Sequence, residues 1–337
     1  MVKSKRVFIS DCEGPISKND NAYELSCQII PRGDKLFPVV SKYDDVQADV
    51  VKKPGYKAGD TLKLILPFFK AFGATDEMMK KFSSKNIILI PEIVNTLGII
   101  DSVGQSYIVS TSYEHYIRSL CDEIGFPFNK TYSTRLKLDS YEIKSNEKTK
   151  LQEVSREIAE MPLMEIPSGS NSLQNFSTRD RRNIERLDEI FWKDIPKMKI
   201  GRVLKEVNPI GGYEKANAID DITKKLNIGL PDVMYVGDSI TDVDAFRKVK
   251  TGGGLAVSFN GNNYAVREAE IGVTSQNSRA MTNIAMDFLL GGKEKVIDHF
   301  KDYPRVEVLT EQNREEFSGY SSKFRKTVRG KSIGKLG

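Results

Sequence analysis

Cysteine and histidine are scarce in this chain, with three and two respectively in 337 residues. Cys12, Cys27 and Cys121 have no paired spacing, which excludes a disulfide framework and a thiolate zinc site. Reduced thiols in a cytoplasmic protein are the resulting expectation. His115 and His299 stand far apart in sequence, so both are read as structural or exposed rather than as metal ligands. Long hydrophobic runs are missing as well. The longest apolar stretches, such as 86–91, are strand-sized and too short to cross a membrane. The opening MVKSKRVFIS enters a strand-like run without a signal-peptide core, and no internal repeat is visible. What is present, 39% hydrophobic and 29% charged residues, is the composition of a soluble globular protein of one large domain or two.

The net charge of +5 is unevenly placed. Residues 319–337 hold six lysines and arginines and no acid, so the other 318 residues sum to −1. The basicity belongs to a tail, expected to be solvated and partly disordered. No nucleic-acid groove is expected, and contact of the tail with RNA, membrane or protein is the alternative.

Four strand-like segments end in chemically capable residues: 6–10 before Asp11, 106–109 before Ser110-Thr111-Ser112, 232–236 before Gly237-Asp238, and 253–257 before Ser258. Helical patterns at 113–124, 214–226 and 242–249 lie between them, and this alternation argues for an α/β fold with a parallel sheet wrapped by helices. Right-handed crossovers bring the C-terminal strand ends to one edge. Two long segments interrupt the alternation. Residues 16–105 look mostly helical, with candidates at 61–72 and 75–83, and are expected to form a cap. Residues 126–210 begin with strand-like pieces at 131–136 and 139–143. They continue as a charged helix at 148–160, a loop at 167–177 and a second charged helix at 178–194.

In KRVFISDCEGP, residues 5–15, the apolar run Val7-Phe8-Ile9 stops at Asp11, Glu13 follows, and Gly14-Pro15 cannot continue a strand. A carboxylate where a central strand ends sits where open α/β sheets bind ligands, placed to act as a nucleophile or a metal ligand. In VMYVGDSITDVDAF, residues 233–246, Asp238 and Asp242 fall on the loop and first turn after a strand. Two such carboxylates suit a hard cation such as Mg²⁺; capping the following helix is their plain structural alternative. Lys215 follows a glycine pair at a helix start. It is an ordinary solvated lysine unless it shares a site with Asp11, Asp238 and Asp242, where it would neutralise phosphate. The Ser110 hydroxyl with the amides of Thr111 and Ser112 would bind an anion at a helix N-terminus, or serve as an N-cap.

The ordered set Asp-x-Glu, strand-terminal Ser, Lys and GDSxTD resembles the four motifs of the haloacid dehalogenase (HAD) superfamily. Within it, residues 253–275 are similar to the phosphoserine phosphatase-like branch, which also carries its cap directly after the first motif. The resemblance implies a HAD-like doubly wound parallel sheet, a Rossmann-like core of 1–15 and 106–303 with an extra insertion at about 126–210. A mostly helical cap at 16–105 and a basic tail at 304–337 complete that organisation. It implies a Mg²⁺-dependent phosphatase hydrolysing a small phosphorylated metabolite through an aspartyl-phosphate on Asp11. Mg²⁺ would be held by Asp11, the Glu13 main-chain carbonyl, Asp238 and Asp242. Ser110, Thr111 and Lys215 would bind the phosphoryl group, and Glu13 would serve as acid and base. Phosphoryl transfer to an acceptor other than water is a variant of this reading.

Two departures stand out. Glu13 and Pro15 occupy positions where the family's phosphatases have Asp and Thr or Ser. The acid chemistry is retained, since the two unperturbed pKa values differ by about 0.4. Placement is what changes, and about 1 Å of displacement is able to cost roughly a hundredfold in rate. The DCEGP variant is also similar to archaeal members described as accessory subunits of an energy-converting hydrogenase, so a catalytically weak interaction subunit is the competing expectation. Asp20 and Lys63 stand where the phosphoserine phosphatase-like branch grips its substrate, though each also reads as a surface charge. Cys12 is expected to face away from Asp11. The 126–210 insertion would cover the site, form a homodimer contact or bind a protein partner.

Overall fold

The computed structural model describes residues 4–300 and 305–336. Its sheet contains β1 Val7–Ser10, β2 Gln105–Tyr113, β3 Thr131–Thr134, β4 Val233–Gly237, β5 Leu255–Phe259, β6 Ile271–Val273 and β7 Val306–Val308. They lie in the order β3-β2-β1-β4-β5-β6-β7, and every neighbouring pair is parallel except β6 with β7. After β1 the chain builds outward through β2 and β3, then returns to β1's other side for β4, β5 and β6. That reversal opens a crevice at the C-terminal ends of β1 and β4, the place where doubly wound sheets bind ligands.

Both faces of β1 are buried, as its unbroken apolar run requires of a central parallel strand. Phe8 joins Ile100, Ile117 and Phe288 on one face. Val7 and Ile9 point to the other, against Ile219, Ile222 and Phe246. A third apolar core lies off the sheet. Leu36, Tyr43 and Phe68 from the first long segment share it with Leu151, Ile158 and Phe191 from the second. The two interruptions of the sheet therefore pack as one helical body. The helix Ile93–Val103, also in the first long segment, packs on the sheet instead. The strand-like piece at 139–143 contributes no strand; Leu138–Ser140 is a single 3₁₀ turn.

The tail departs from its expectation. Residues 305–336 fold onto the domain: β7 closes the sheet edge and a helix follows at Arg314–Arg329, while Lys323, Lys326, Lys331 and Lys335 stay exposed. The expected boundary between 303 and 304 lies outside the described residues. Phe317, Ser321, Arg325 and Arg329 are all buried. They recur every four residues, so one face of the helix carries them all. Phe317 packs with Val266, Ala269 and Leu309, and further on Leu336 enters the cap core. Counting charge misplaced this segment in part, because two of its cations are buried against one carboxylate instead of meeting water. Among the described residues no helix is long and apolar enough to cross a membrane.

Candidate active site

Asp11 leaves β1 with its amide still bonded to the Val236 carbonyl of β4 at 2.8 Å. Its Oδ1 accepts from the Cys12 amide at 2.6 Å, and its Oδ2 meets Lys215 Nζ at 2.7 Å. Cys12 itself is buried in the apolar layer that holds Phe8. Lys215 is on the helix Tyr213–Leu226, is fully buried, and also pairs with Asp242 Oδ1 at 2.7 Å. The Tyr235 hydroxyl donates to the same Asp242 oxygen at 2.7 Å. Asp242 Oδ2 accepts from the amides of Asp238 and Ser239 at 2.9 and 3.0 Å. Asp242 thus fixes the loop, Lys215 and the strand end together.

Two glycines permit this approach of chains. A Cβ on Gly14, where φ is +117°, would lie 2.0 Å from an Asp238 carboxylate oxygen. A Cβ on Gly237 would lie 2.4 Å from the Asp242 carboxyl carbon.

Asp238 receives the tail. Arg325 and Arg329 both bond its Oδ2, Arg329 at 3.0 Å. Arg329 also donates to the Lys18 carbonyl at 3.1 Å and to the Asn19 carbonyl, which ties the C-terminal helix to the loop after the first motif. Among the described residues no hydrogen bond reaches Asp238 Oδ1. Neither arginine was singled out from the sequence; the available signal was their four-residue spacing in line with Phe317 and Ser321.

A cavity of about 100 Å³ opens over these groups, lined by Asp11, Glu13, Asp20, Ser110, Thr111 and Asp238 among others. Lys215 and Asp242 lie beneath it. The Ser112 amide donates to Ser110 Oγ at 3.2 Å, and Thr111 Oγ1 is engaged with the Ile210 carbonyl at 3.0 Å. Glu13 Oε1 accepts from the Asn21 amide at 2.6 Å, at the start of the helix Asn21–Ile29. Asp20 caps that helix through the Tyr23 amide. Lys63 is taken up by Asp60 at 2.6 Å, away from the cavity wall. His115 holds Asp76 at 2.8 Å within the structure.

Burial, then Asp242 and Asp238, push the Asp11 carboxyl up to about 7 against the pull of Lys215. Burial opposes the Lys215 charge, yet Asp11 and Asp242 hold it above the usual lysine range. Asp242 stays below the usual carboxylate range despite burial, because Lys215 and its hydrogen bonds favour the ion. Glu13 is pushed well up by burial and by Asp20. Asp11, Asp238 and Asp242 offer oxygens within 4.8 Å of one another. This hard-oxygen set, with Asp238 Oδ1 left to the cavity and mutual repulsion raising Asp11, fits a small divalent cation.

Asp44, on the cap side of the cavity, accepts from the Gly59 amide at 2.8 Å. Burial and Asp60 raise it to about 7. The folded form thus binds a proton more tightly than the unfolded form. The associated stability is full below the ordinary carboxylate value of 3.8 and is lost as pH rises through about 7. Asp44→Asn is expected to flatten that fall, gaining about 1 kcal/mol or more on the wild type between pH 5.5 and 8. Thermal unfolding of both proteins at the two pH values measures it, and parallel curves would count against the assignment.

The chain belongs to the haloacid dehalogenase-like hydrolase family, whose model matches residues 100–280. Among solved structures, the gene product AF1437 from Archaeoglobus fulgidus is 26% identical with a TM-score of 0.84. The match covers 98% of this chain and 99% of that one. A phosphoserine phosphatase solved as a phospho-aspartyl intermediate analogue shares the fold at 14% identity and a TM-score of 0.50, over 83% of this chain and 99% of its own. A substrate-bound phosphoserine phosphatase complex shares it at 13% and 0.50, over 84% and 99%. No curated protein matches the sequence.

Proposed function

We propose that the protein is a Mg²⁺-dependent phosphatase that hydrolyses a small phosphomonoester through an aspartyl-phosphate on Asp11. The observation that carries this reading is the single buried ammonium of Lys215, 2.7 Å from both Asp11 and Asp242 at the sheet's switch point. It holds the Asp11 carboxylate, which lines the phosphoryl-sized cavity, and offsets charge there. Asp11 attacks phosphorus, the bond to the alcohol oxygen breaks, and the leaving oxygen takes a proton from Glu13. Glu13 then accepts a proton from water, which attacks the same phosphorus, releasing phosphate and regenerating the Asp11 carboxylate. Ser110 hydrogen-bonds the transferring oxygens. Mg²⁺ held by Asp11, the Glu13 carbonyl and Asp238, with Asp242 behind, would supply neutralisation of phosphoryl charge.

Hydrolysis of p-nitrophenyl phosphate is expected to require Mg²⁺, to stop with EDTA and to leave acid-quenched phosphate on Asp11. Failure across a broad monophosphate panel with several divalent cations would remove the reading. The guanidiniums on Asp238 favour a second one, a HAD-fold subunit with little turnover. Its mark would be inactivity together with a stable co-purifying partner.

Glu13→Asp tests the acid and base. The glutamate's extra methylene lets its carboxylate reach the Asn21 amide, so the pocket is built around the longer side chain. The shorter one is expected to lower kcat by about tenfold or more, since a displacement near 1 Å is costly. Steady-state kinetics decide it, and a rise in kcat would show that Glu13 is misplaced.

A further inference from the structure

Beside the small cavity lies a larger one of about 900 Å³. Arg325 and Leu336 line both, so the two spaces meet at the C-terminal segment. Much of its wall comes from two parts of the sequence that the phosphatase reading leaves without work, the loop around 164–171 of the long insertion and the basic tail; Lys42, Asp49 and Lys52 from the first long segment and residues of 247–267 complete it. Seven basic side chains face it against two carboxylates, Asp49 and Glu165. Among the described residues, Lys52, Lys326 and Lys335 make no ion pair. Arg325 is only 3% exposed, yet its Nε is buried without a hydrogen-bond partner. A buried guanidinium nitrogen left unsatisfied is costly, and a ligand group is a natural partner for it. The 100 Å³ over Asp11 has room for a phosphoryl group and little beyond it, so the remainder of any substrate must extend past Arg325.

We propose that the substrate is a phosphomonoester carrying a second anionic group, a phosphate or a carboxylate, several bonds from the phosphate presented to Asp11. Lys52, Lys326 and Lys335 hold that second group, and Arg325 spans the two anions as a planar donor. The inference rests on the phosphatase reading for the first phosphate alone. It also explains why basic residues cluster in the tail: the C-terminal helix forms one wall of the specificity cavity.

The test measures binding, so it does not depend on turnover. Butanediol and hexanediol bisphosphates are titrated calorimetrically into full-length Asp11→Asn protein, beside butyl and hexyl monophosphates. The bisphosphates are expected to bind at least about tenfold more tightly. Lys326→Ala/Lys335→Ala in the same background is expected to remove the preference, leaving each pair within about twofold. Equal affinities at the outset, or a preference that survives the double variant, would overturn the proposal. The same would follow if a short oligonucleotide displaced the bisphosphates at lower concentration. Replacing the terminal phosphate by carboxylate ranks the two anions. A bisphosphate preference in a protein that turns over no phosphomonoester would leave this site standing and remove the phosphatase reading. Turnover of p-nitrophenyl phosphate without the preference would do the reverse.

Discussion

Asp11→Asn is expected to lower p-nitrophenyl phosphate turnover by about 10⁴-fold or more while leaving the protein folded, because nothing else in the cavity replaces the nucleophile. The amide has nearly the shape of the carboxylate and keeps an oxygen for the Cys12 amide. Lys215 retains Asp242 at 2.7 Å, so its charge is not orphaned. Burial, Asp242 and Asp238 already push Asp11 up to about 7, so its ionised form is held at a cost near neutral pH. Removing that charge is expected to leave the melting temperature within about 2 °C of wild type, or to raise it. Activity, acid-stable phosphate incorporation and thermal unfolding on the same preparation separate a lost nucleophile from a lost fold. Residual turnover above one part in ten would place the nucleophile elsewhere.

The parts of this site that were legible in sequence are those coded locally. Asp11 and Asp238 each follow a buried strand within a few residues, so strand recognition alone places them at the sheet edge. Gly14 was legible as the end of a strand, although only the folded arrangement of the chain shows that it and Gly237 each make room for a particular carboxylate. Lys215 needed the superfamily's motif order, since a lone lysine at a helix start carries no signal of burial. The joint core of the two long segments was not legible. Apolar periodicity shows that a helix has a buried face, not which distant helix covers it. The tail was misjudged for a related reason. Composition counts cations, and the guanidiniums of Arg325 and Arg329 are paired with Asp238, 87 and 91 residues away in sequence. β6, with three residues, is too short for a pattern of alternation to identify.

Lys215→Met is expected to damage stability and chemistry together, with the balance shifting with pH. Among the described residues the ammonium is the only cation that touches both Asp11 and Asp242, and all three side chains are nearly inaccessible. Removing one member of a buried charge cluster typically costs about 3–5 kcal/mol, because the remaining charges stay buried and unpaired. For a protein of this size that corresponds to a fall of about 4–7 °C in melting temperature. Asp242, held below its ordinary value by Lys215, contributes stability that is present above 3.8 and is lost as pH falls through its lower folded value. Without the lysine both carboxylates shift upward, and their cost grows as pH rises through the new folded values. The gap between wild type and variant is therefore expected to be wider at pH 8 than at pH 5. Turnover should fall by about 10³-fold, the scale of losing a preorganised charge at a reacting group. A divalent cation at the same carboxylates would replace part of the missing charge, so added Mg²⁺ is expected to raise the melting temperature of the variant more than that of the wild type. Scanning calorimetry at both pH values, with and without Mg²⁺, tests this. A variant melting within 2 °C of wild type throughout would show that Lys215 does not hold the cluster together.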